Sequence, residues 1–297
     1  IKGDAESRSV VFTSGEDFHS NDPTNKKYDN IFPTGITNLL KQGQHYVFVG
    51  SYRGSGCAAF GRSPEATNST DHDYDGFAAA VYYIDSTIKP AIRFHSLQTE
   101  PNLNDYVHGV CTHPGEAGDD LYYYVVGSTY GTMPKGIIQT DMNVNVEGTI
   151  LDNDATILSS WISKVDAATQ TVLWTTQVYS TKHNEAFGCH VIPSDPSTMY
   201  VGGTVYNNGS MMYVRSGTEN KIRKSTYHIG GGKSAGKDDV WVAQLNTDDG
   251  ALKWMKQLGS TGDDHISRTN GVQADVVGDC IIYGDVRDVS ILVVTLL

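Results

Sequence analysis

Residues 238–286 read DDVWVAQLNTDDGALKWMKQLGSTGDDHISRTNGVQADVVGDCIIYGDV. An alternating strand runs through Val240, Val242 and Gln244, Asp248-Asp249-Gly250 supplies a turn, and a second strand ends on Trp254. A Gly/Asp-rich loop follows, then a third strand opening near Gly271 and a fourth, Cys280 to Tyr283, closed by Gly284. Short alternating runs separated by turn residues predict four strands of one antiparallel sheet.

The rest of the chain repeats that unit. The aromatic residue ending the second strand recurs as Phe12, Phe94, Trp174 and Trp254, at intervals of 82, 80 and 80 residues. A glycine opens the third strand at Gly35, Gly109, Gly188 and Gly271, and another closes the fourth at Gly50, Gly127, Gly203 and Gly284. Three marker series with one period define an internal repeat. First strands are read at residues 76–85 (GFAAAVYYID), 161–166 (WISKVD) and 240–246 (VWVAQLN). A leftover copy of that pattern, DVSILVVT at residues 288–295, is followed by no partner.

Two arrangements fit the leftover strand. It completes the N-terminal sheet and closes a ring, or the chain is a segment of a longer repeat array. Closure leaves no unpaired edge between the ends and is the expectation taken forward. The fold class expected is therefore all-β: a β-propeller of four repeat units, each of about four antiparallel strands. The blades expected are 4–61 plus 288–297, 71–131, 157–207 and 238–287. Insertions rich in Gly, Ser, Asn and Asp cover residues 51–71, 128–158 and 204–237. They are expected between blades, forming one variable face.

Composition narrows the function. An apolar content of 39% supports a core, and 10% aromatic residues, with 17 Tyr and 31 Gly, favours strands over helices. A net charge of −12 argues against a nucleic-acid backbone as partner, because that binding needs a basic stripe. The run Val289 to Leu297 is apolar but much shorter than the roughly 20 residues needed to span a bilayer. A start at Ile1, with neither Met nor an apolar leader, reads as a processed product or a piece of something longer.

The fourth unit resembles the seven-bladed-propeller repeat family of secreted and cell-surface proteins. The residues carrying the likeness are Gly230-Gly231-Gly232, Asp239-Val240-Trp241-Val242-Ala243, the Trp254 strand, and Leu258-Gly259-Ser260-Thr261-Gly262-Asp263-Asp264. LNTDDGALKW (residues 245–254) also resembles the tryptophan-docking turn of quinoprotein-type propellers. The resemblance implies a propeller fold and an extracytoplasmic setting, and it brings no shared catalytic residue. The period of about 80 is longer than the family's, and four units are fewer than its usual ring.

Several residues are candidates for chemistry. Asp71, Asp73 and Asp75 before Gly76 have the alternate-carboxylate spacing of a calcium loop, with the Phe77 carbonyl as a further oxygen. The acid that would complete such a loop is replaced by Tyr82, and a solvated acidic turn is the competing reading. Residues 231–237, GGKSAGK, approach a phosphate loop, but Asp238 stands where the hydroxyl belongs and a strand follows instead of a helix. His108 and His113 flank Cys111, and Cys189-His190 lies on the matching strand; these could line a channel mouth or simply pack there. Cys111 and Cys189 are the first candidates for a disulfide among Cys57, Cys111, Cys189 and Cys280. Asn68-Ser69-Thr70 and Asn208-Gly209-Ser210 are glycosylation acceptors placed in insertions.

The function expected is a non-catalytic extracellular or cell-surface module. It binds a protein or glycan at the insertions, or assembles with copies of itself, with calcium as the one cofactor considered. The competing class is a propeller enzyme using a metal or quinone at the channel mouth, with His108, His113 and His190 as its polar groups.

Overall fold

A computed structural model describes residues 30–39, 45–53, 74–82, 91–97, 103–112, 122–130, 156–166, 172–209, 211–216, 222–224, 227–228, 237–268, 271–274, 278–282 and 284–286. Every regular element among them is a strand, and the sheets are antiparallel apart from one short parallel pairing. No helix among the described residues is long and apolar enough to cross a membrane.

Sheet one runs β1 (Asn30–Leu39), β2 (His45–Arg53), β3 (Tyr74–Tyr82), β4 (Ala91–Leu97) in spatial order. Sheet two starts with β5 (Asp105–Thr112), β6 (Tyr122–Thr129), β7 (Ser159–Asp166) and β8 (Val172–Ser180). Sheet three starts with β9 (Asn184–Ile192) and β10 (Asp195–Val205). The chain then returns to the outer edge of sheet two with β11 (Met211–Ser216), paired to β8, and β12 (Ile222–Lys224). An edge that would otherwise present unpaired backbone groups is thereby covered. Sheet three resumes with β13 (Tyr227–His228), which lies parallel to β15, and then with β14 (Asp239–Asn246) and β15 (Leu252–Leu258) themselves. Last come β16 (Asp264–Ile266) paired with β19 (Gly284–Val286), and β17 (Val272–Ala274) paired with β18 (Cys280–Ile282). These four pieces form one interrupted hairpin, called sheet four below.

Successive sheets pack face to face, and strand periodicity explains how one strand serves two interfaces. On β6, Tyr123 and Val125 join Val47, Val49, Ala78 and Trp161 between sheets one and two. Tyr124 and Val126 of the same strand join Trp174, Cys189, Val201 and Trp241 between sheets two and three. Strand β14 repeats the device, with Trp241, Ala243 and Leu245 facing sheet two and Val240 and Val242 facing Ile266, Val272 and Ile282 of sheet four. Alternate side chains leave a strand on opposite faces, so a strand buried on both sides reads as a nearly continuous apolar run. Truncating Trp161 or Trp241, both essentially without solvent exposure, to Ala would cost about 3–5 kcal/mol. Among the described residues the sheets do not close into a ring.

The glycine series fall at equivalent register positions. Gly50, Gly127, Gly203 and Gly284 pair with Pro33, Val107, Ala186 and Ile266 on the first strand of each sheet. A bulge follows in sheets one to three, immediately before Gly35, Gly109 and Gly188. At Gly127 and Gly203 a Cβ would collide with the carbonyl oxygens of Tyr106 and Glu185 and press on the Trp161 and Trp241 rings. Close approach of backbone and indole makes glycine necessary there. The residues paired opposite Gly50, Gly127 and Gly203 from the third strand are Phe77, Trp161 and Trp241, an aromatic series that the sequence reading did not extract.

Sheet membership corrects the expected blade boundaries. The third and fourth strands of one repeat unit share a sheet with the first and second strands of the next, so sheets run over residues 30–97, 105–180 and 184–258. The insertions therefore run between two paired strands of the same sheet, β2 to β3, β6 to β7 and β10 to β14, the last of them adding β11 and β12 to the edge of sheet two on the way. The physical reason is that periodicity fixes the length of a unit and leaves its phase open, while loop closure costs little more for a long hairpin connection than for a short one. Sheet one has its four strands without residues 288–297, which lie outside the described residues together with residues 1–29.

The turn between β14 and β15 fastens sheet three to sheet two. The Trp174 indole N–H donates to the Thr247 carbonyl at 3.1 Å, Lys164 Nζ donates to the same oxygen at 2.9 Å, and the Thr176 hydroxyl donates to the Gly250 carbonyl at 2.7 Å. Gly250 has φ +71°, a left-handed conformation, and lies against the Trp174 ring, where a Cβ would come within 2.6 Å of the indole. Glycine meets both demands at that turn.

Candidate functional site

The first strands β5, β9 and β16 bring one set of side chains together. A bulge places two residues opposite one and re-aims the extra side chain; here it presents His108 of β5 and Phe187 of β9, whose rings lie 4.9 Å apart. Tyr106 stacks beside His108 at 5.8 Å, and Tyr74 lies 5.6 Å from Tyr106. From sheet four, the Arg268 guanidinium sits 5.4 Å from the Phe187 ring centre. The cluster thus spans sheets one to four.

Glu185 is its electrostatic centre. His108 Nε2 lies 3.3 Å from Glu185 Oε1, and the Tyr206 hydroxyl donates to Oε2. Burial works against ionising Glu185, but the hydrogen bond and charge of His108, the Tyr206 hydroxyl and the Arg268 guanidinium outweigh it and hold the carboxyl below its ordinary range. The same carboxylate acts on its neighbours. Burial first, then the charge and hydrogen bond of Glu185, push the Tyr206 phenol well up. Burial, with Tyr130, Glu185, Tyr74 and Asp105 around it, pushes Tyr106 up to about 12. Both phenols therefore stay protonated at neutral pH, and that of Tyr206 is the donor to Glu185.

Ser128 Oγ also meets His108 Nε2, at 2.9 Å. A nucleophile relay needs the hydroxyl and the acid on opposite ring nitrogens. Here Ser128 and Glu185 converge on one nitrogen, and Ser128 has no solvent exposure. The arrangement fixes the imidazole between sheets and does not prepare a hydroxyl for attack.

Beside the cluster is an open cleft of about 480 Å³ lined by His265, Ile266, Ser267, Arg268 and Gly284. His265 Nε2 lies 3.6 Å from Asp238 Oδ2, and the Asn207 backbone N–H donates to Asp238 Oδ1 at 2.9 Å. Tyr206 and His265 face each other with ring centres 6.3 Å apart.

The residues expected from sequence fall as follows. Asp71, Asp73, Asn68, His113 and Cys57 lie outside the described residues. Asp75 and Phe77 lie on β3, paired with Tyr52 and Gly50. Phe77 is in a ladder on both sides, opposite Ser96 as well, so its carbonyl belongs to sheet hydrogen bonding. The register equivalent of Asp75 in sheet three is Asp239, which is buried and accepts from Gln257 Nε2 at 2.6 Å. Asn208 is exposed in a left-handed turn after β10, φ 57°. Cys111 and Cys189 form a disulfide between β5 and β9, with their Cα atoms 5.8 Å apart. They are offset by one residue relative to Gly109 and Gly188, which turns their side chains toward each other across the sheet two and three interface. His190 alternates with Cys189 and Val191, which face sheet two, and so lies on the other face of β9. Burial lowers its pKa.

Glu185, Tyr206 and Arg268 were not singled out from sequence. The signal that could have found Glu185 is the repeat itself: it occupies the position of Tyr106 and His265, one residue before the position paired with the closing glycine. No protein-family model matches the chain, and no curated protein matches it either.

Proposed function

We propose that the chain is a four-sheet β-propeller of a secreted or cell-surface setting, of the kind built from seven-bladed-propeller-type repeats. Its role is to bind a protein or glycan at one end of the sheets, without catalysis. One observation carries the reading. The pairs Asn30↔Arg53, Asp105↔Thr129, Asn184↔Val205 and Asp264↔Val286 put the start of each first strand beside the end of each second strand. The three insertions accordingly leave from the end of the sheets that carries Tyr106, Glu185, Tyr206 and His265. Variable loops gathered over a polar and aromatic cluster on a rigid scaffold are the usual layout of a recognition face.

Other features support the setting and the fold. The face-to-face cores and the turn docked on Trp174 match what propeller packing requires, and the Cys111–Cys189 bridge and exposed Asn208 suit an oxidising, glycosylating compartment. Closure would place residues 288–295 as the third strand of sheet four, with the N-terminal strand ending at Phe12 beyond it. A calcium ion held by Asp71, Asp73 and Asp75 belongs to the same proposal, with the Phe77 carbonyl the weakest member of the set.

The test replaces residues 131–155 with a short Gly/Ser linker and compares binding of the two proteins to a glycan array and to themselves by sedimentation. Loss of binding with an unchanged melting curve is expected. Binding that is indifferent to the insertion would overturn the recognition face, and turnover of a substrate would overturn the non-catalytic role.

A further inference from the structure

Among the described residues, the first strand of sheet four departs from the repeat between Ile266 and Val272, and this departure lies at the cleft. Between the paired positions Val107 and Val110, sheet two has only His108 and Gly109; sheet three likewise has only Phe187 and Gly188 between Ala186 and Cys189. Sheet four has residues 267–271 between Ile266 and Val272, although the opposite strand keeps its ordinary spacing from Gly284 to Ile282. Repetition of the fold does not require the added residues. They bring Ser267 and Arg268 into the cleft beside His265.

Charge limits what that cleft can hold. Arg268 is exposed at the cleft yet already faces Glu185, and Asp238 is already paired with His265. An anion would compete with both carboxylates in a chain whose net charge is −12. A cation would meet the guanidinium. An uncharged ligand with many hydroxyls avoids both conflicts, since each hydroxyl donates and accepts at once. The cleft supplies a planar multiple donor in Arg268, the hydroxyl of Ser267, and the ring of His265, whose side chain is 45% exposed and backed by the Asp238 carboxylate. Its volume of about 480 Å³ is on the scale of one or two sugar rings.

We propose that the cleft formed by His265, Ser267 and Arg268, with Asp238 paired to His265, binds an uncharged pyranose at the end of a glycan. The inference rests on the recognition-face reading above and names its ligand class. Saturation-transfer NMR and titration of the whole protein would use methyl glucoside, methyl galactoside and methyl mannoside, with glucuronic acid and glucosamine as charged counterparts. At least one neutral glycoside should bind in the millimolar range, and Arg268→Ala and His265→Ala should each weaken it about tenfold. Arg268 and His265 are solvent-accessible, so these variants keep the fold, which the melting curve checks.

Tightest binding of glucuronic acid, lost in Arg268→Ala, would overturn the uncharged class and leave glycan recognition standing. Neutral binding unchanged in both variants would overturn the cleft as its location. No sugar binding, with insertion-dependent partner binding intact, would overturn this inference alone; loss of both would overturn the functional reading as well.

Discussion

Gly203→Ala is the sharpest probe of the register that unites the sheets. An added Cβ would sit far inside van der Waals contact with the Glu185 carbonyl oxygen and 2.7 Å from two atoms of the Trp241 indole. Neither neighbour can yield. The carbonyl belongs to the paired residue beside the β9 bulge, and the indole is fully buried between sheets two and three. Gly202 is the comparison on the same strand, because its Cβ would collide with side-chain methyls alone, those of the buried Val272 and Ile266, and with no backbone atom or indole. Overpacking of this kind costs about 1–3 kcal/mol where side chains adjust and more where backbone must move. Gly203→Ala should therefore lose about 3 kcal/mol or more, and Gly202→Ala less, about 2 kcal/mol. With a urea slope of about 3 kcal/mol/M for a chain of this size, the first midpoint should fall by about 1 M and the second by about two thirds of that. Equilibrium unfolding by fluorescence of the buried tryptophans reads both. A Gly203→Ala protein within about 0.5 kcal/mol of the parent, or one more stable than Gly202→Ala, would refute the register and the sheet phase built on it.

Non-reducing peptide mapping should recover a linked pair containing Cys111 and Cys189. With a separation of 78 residues, the chain-entropy relation gives that bridge roughly 4.5 kcal/mol, so Cys111→Ser with Cys189→Ser should unfold at markedly lower urea. Glu185 has its folded pKa depressed, so its contribution is present above the unfolded carboxyl value of about 4.3 and fades as pH falls through the folded value. The stability gap between the parent and Glu185→Gln should accordingly be steady near neutral pH and narrow in acid, as read by urea midpoints across pH; a gap that widens in acid would reverse the assignment. Burial pushes the Cys280 thiol up to about 12, so native protein should resist iodoacetamide at Cys280 and react there once unfolded, scored by mass spectrometry.

The sequence reading reached the period and missed the phase. Glycine and aromatic markers were legible because each answers a local steric demand: Gly127 and Gly203 leave room for a carbonyl and an indole, and the demand recurs with every sheet. Where one sheet stops was not legible, because strands β4 and β5 carry the same alternating pattern as strands that do pair, and a long polar insertion looks like a linker even when it caps a hairpin. The site shows the same division. His108 stood out beside Cys111, whereas Glu185 is one of 34 acidic residues with no local motif. Its partners lie far along the chain: Tyr206 follows β10, Arg268 follows β16 and His108 sits on β5, so only the pairing of β9 with β10 and the packing of sheets two, three and four make them neighbours.

Because the repeat units β3 to β6, β7 to β10 and β14 to β19 each give half their strands to one sheet and half to the next, the units overlap like bricks laid in running bond. No joint between units runs straight through the molecule. Excising one whole unit would leave its neighbours' orphaned halves free to pair with each other, so a shortened chain would lose a sheet without gaining a raw seam. Cutting at the sheet boundaries, between β4 and β5 or between β8 and β9, would expose two broad apolar faces instead. Growth and loss of such a chain by whole sequence units is thus the route that the architecture tolerates best.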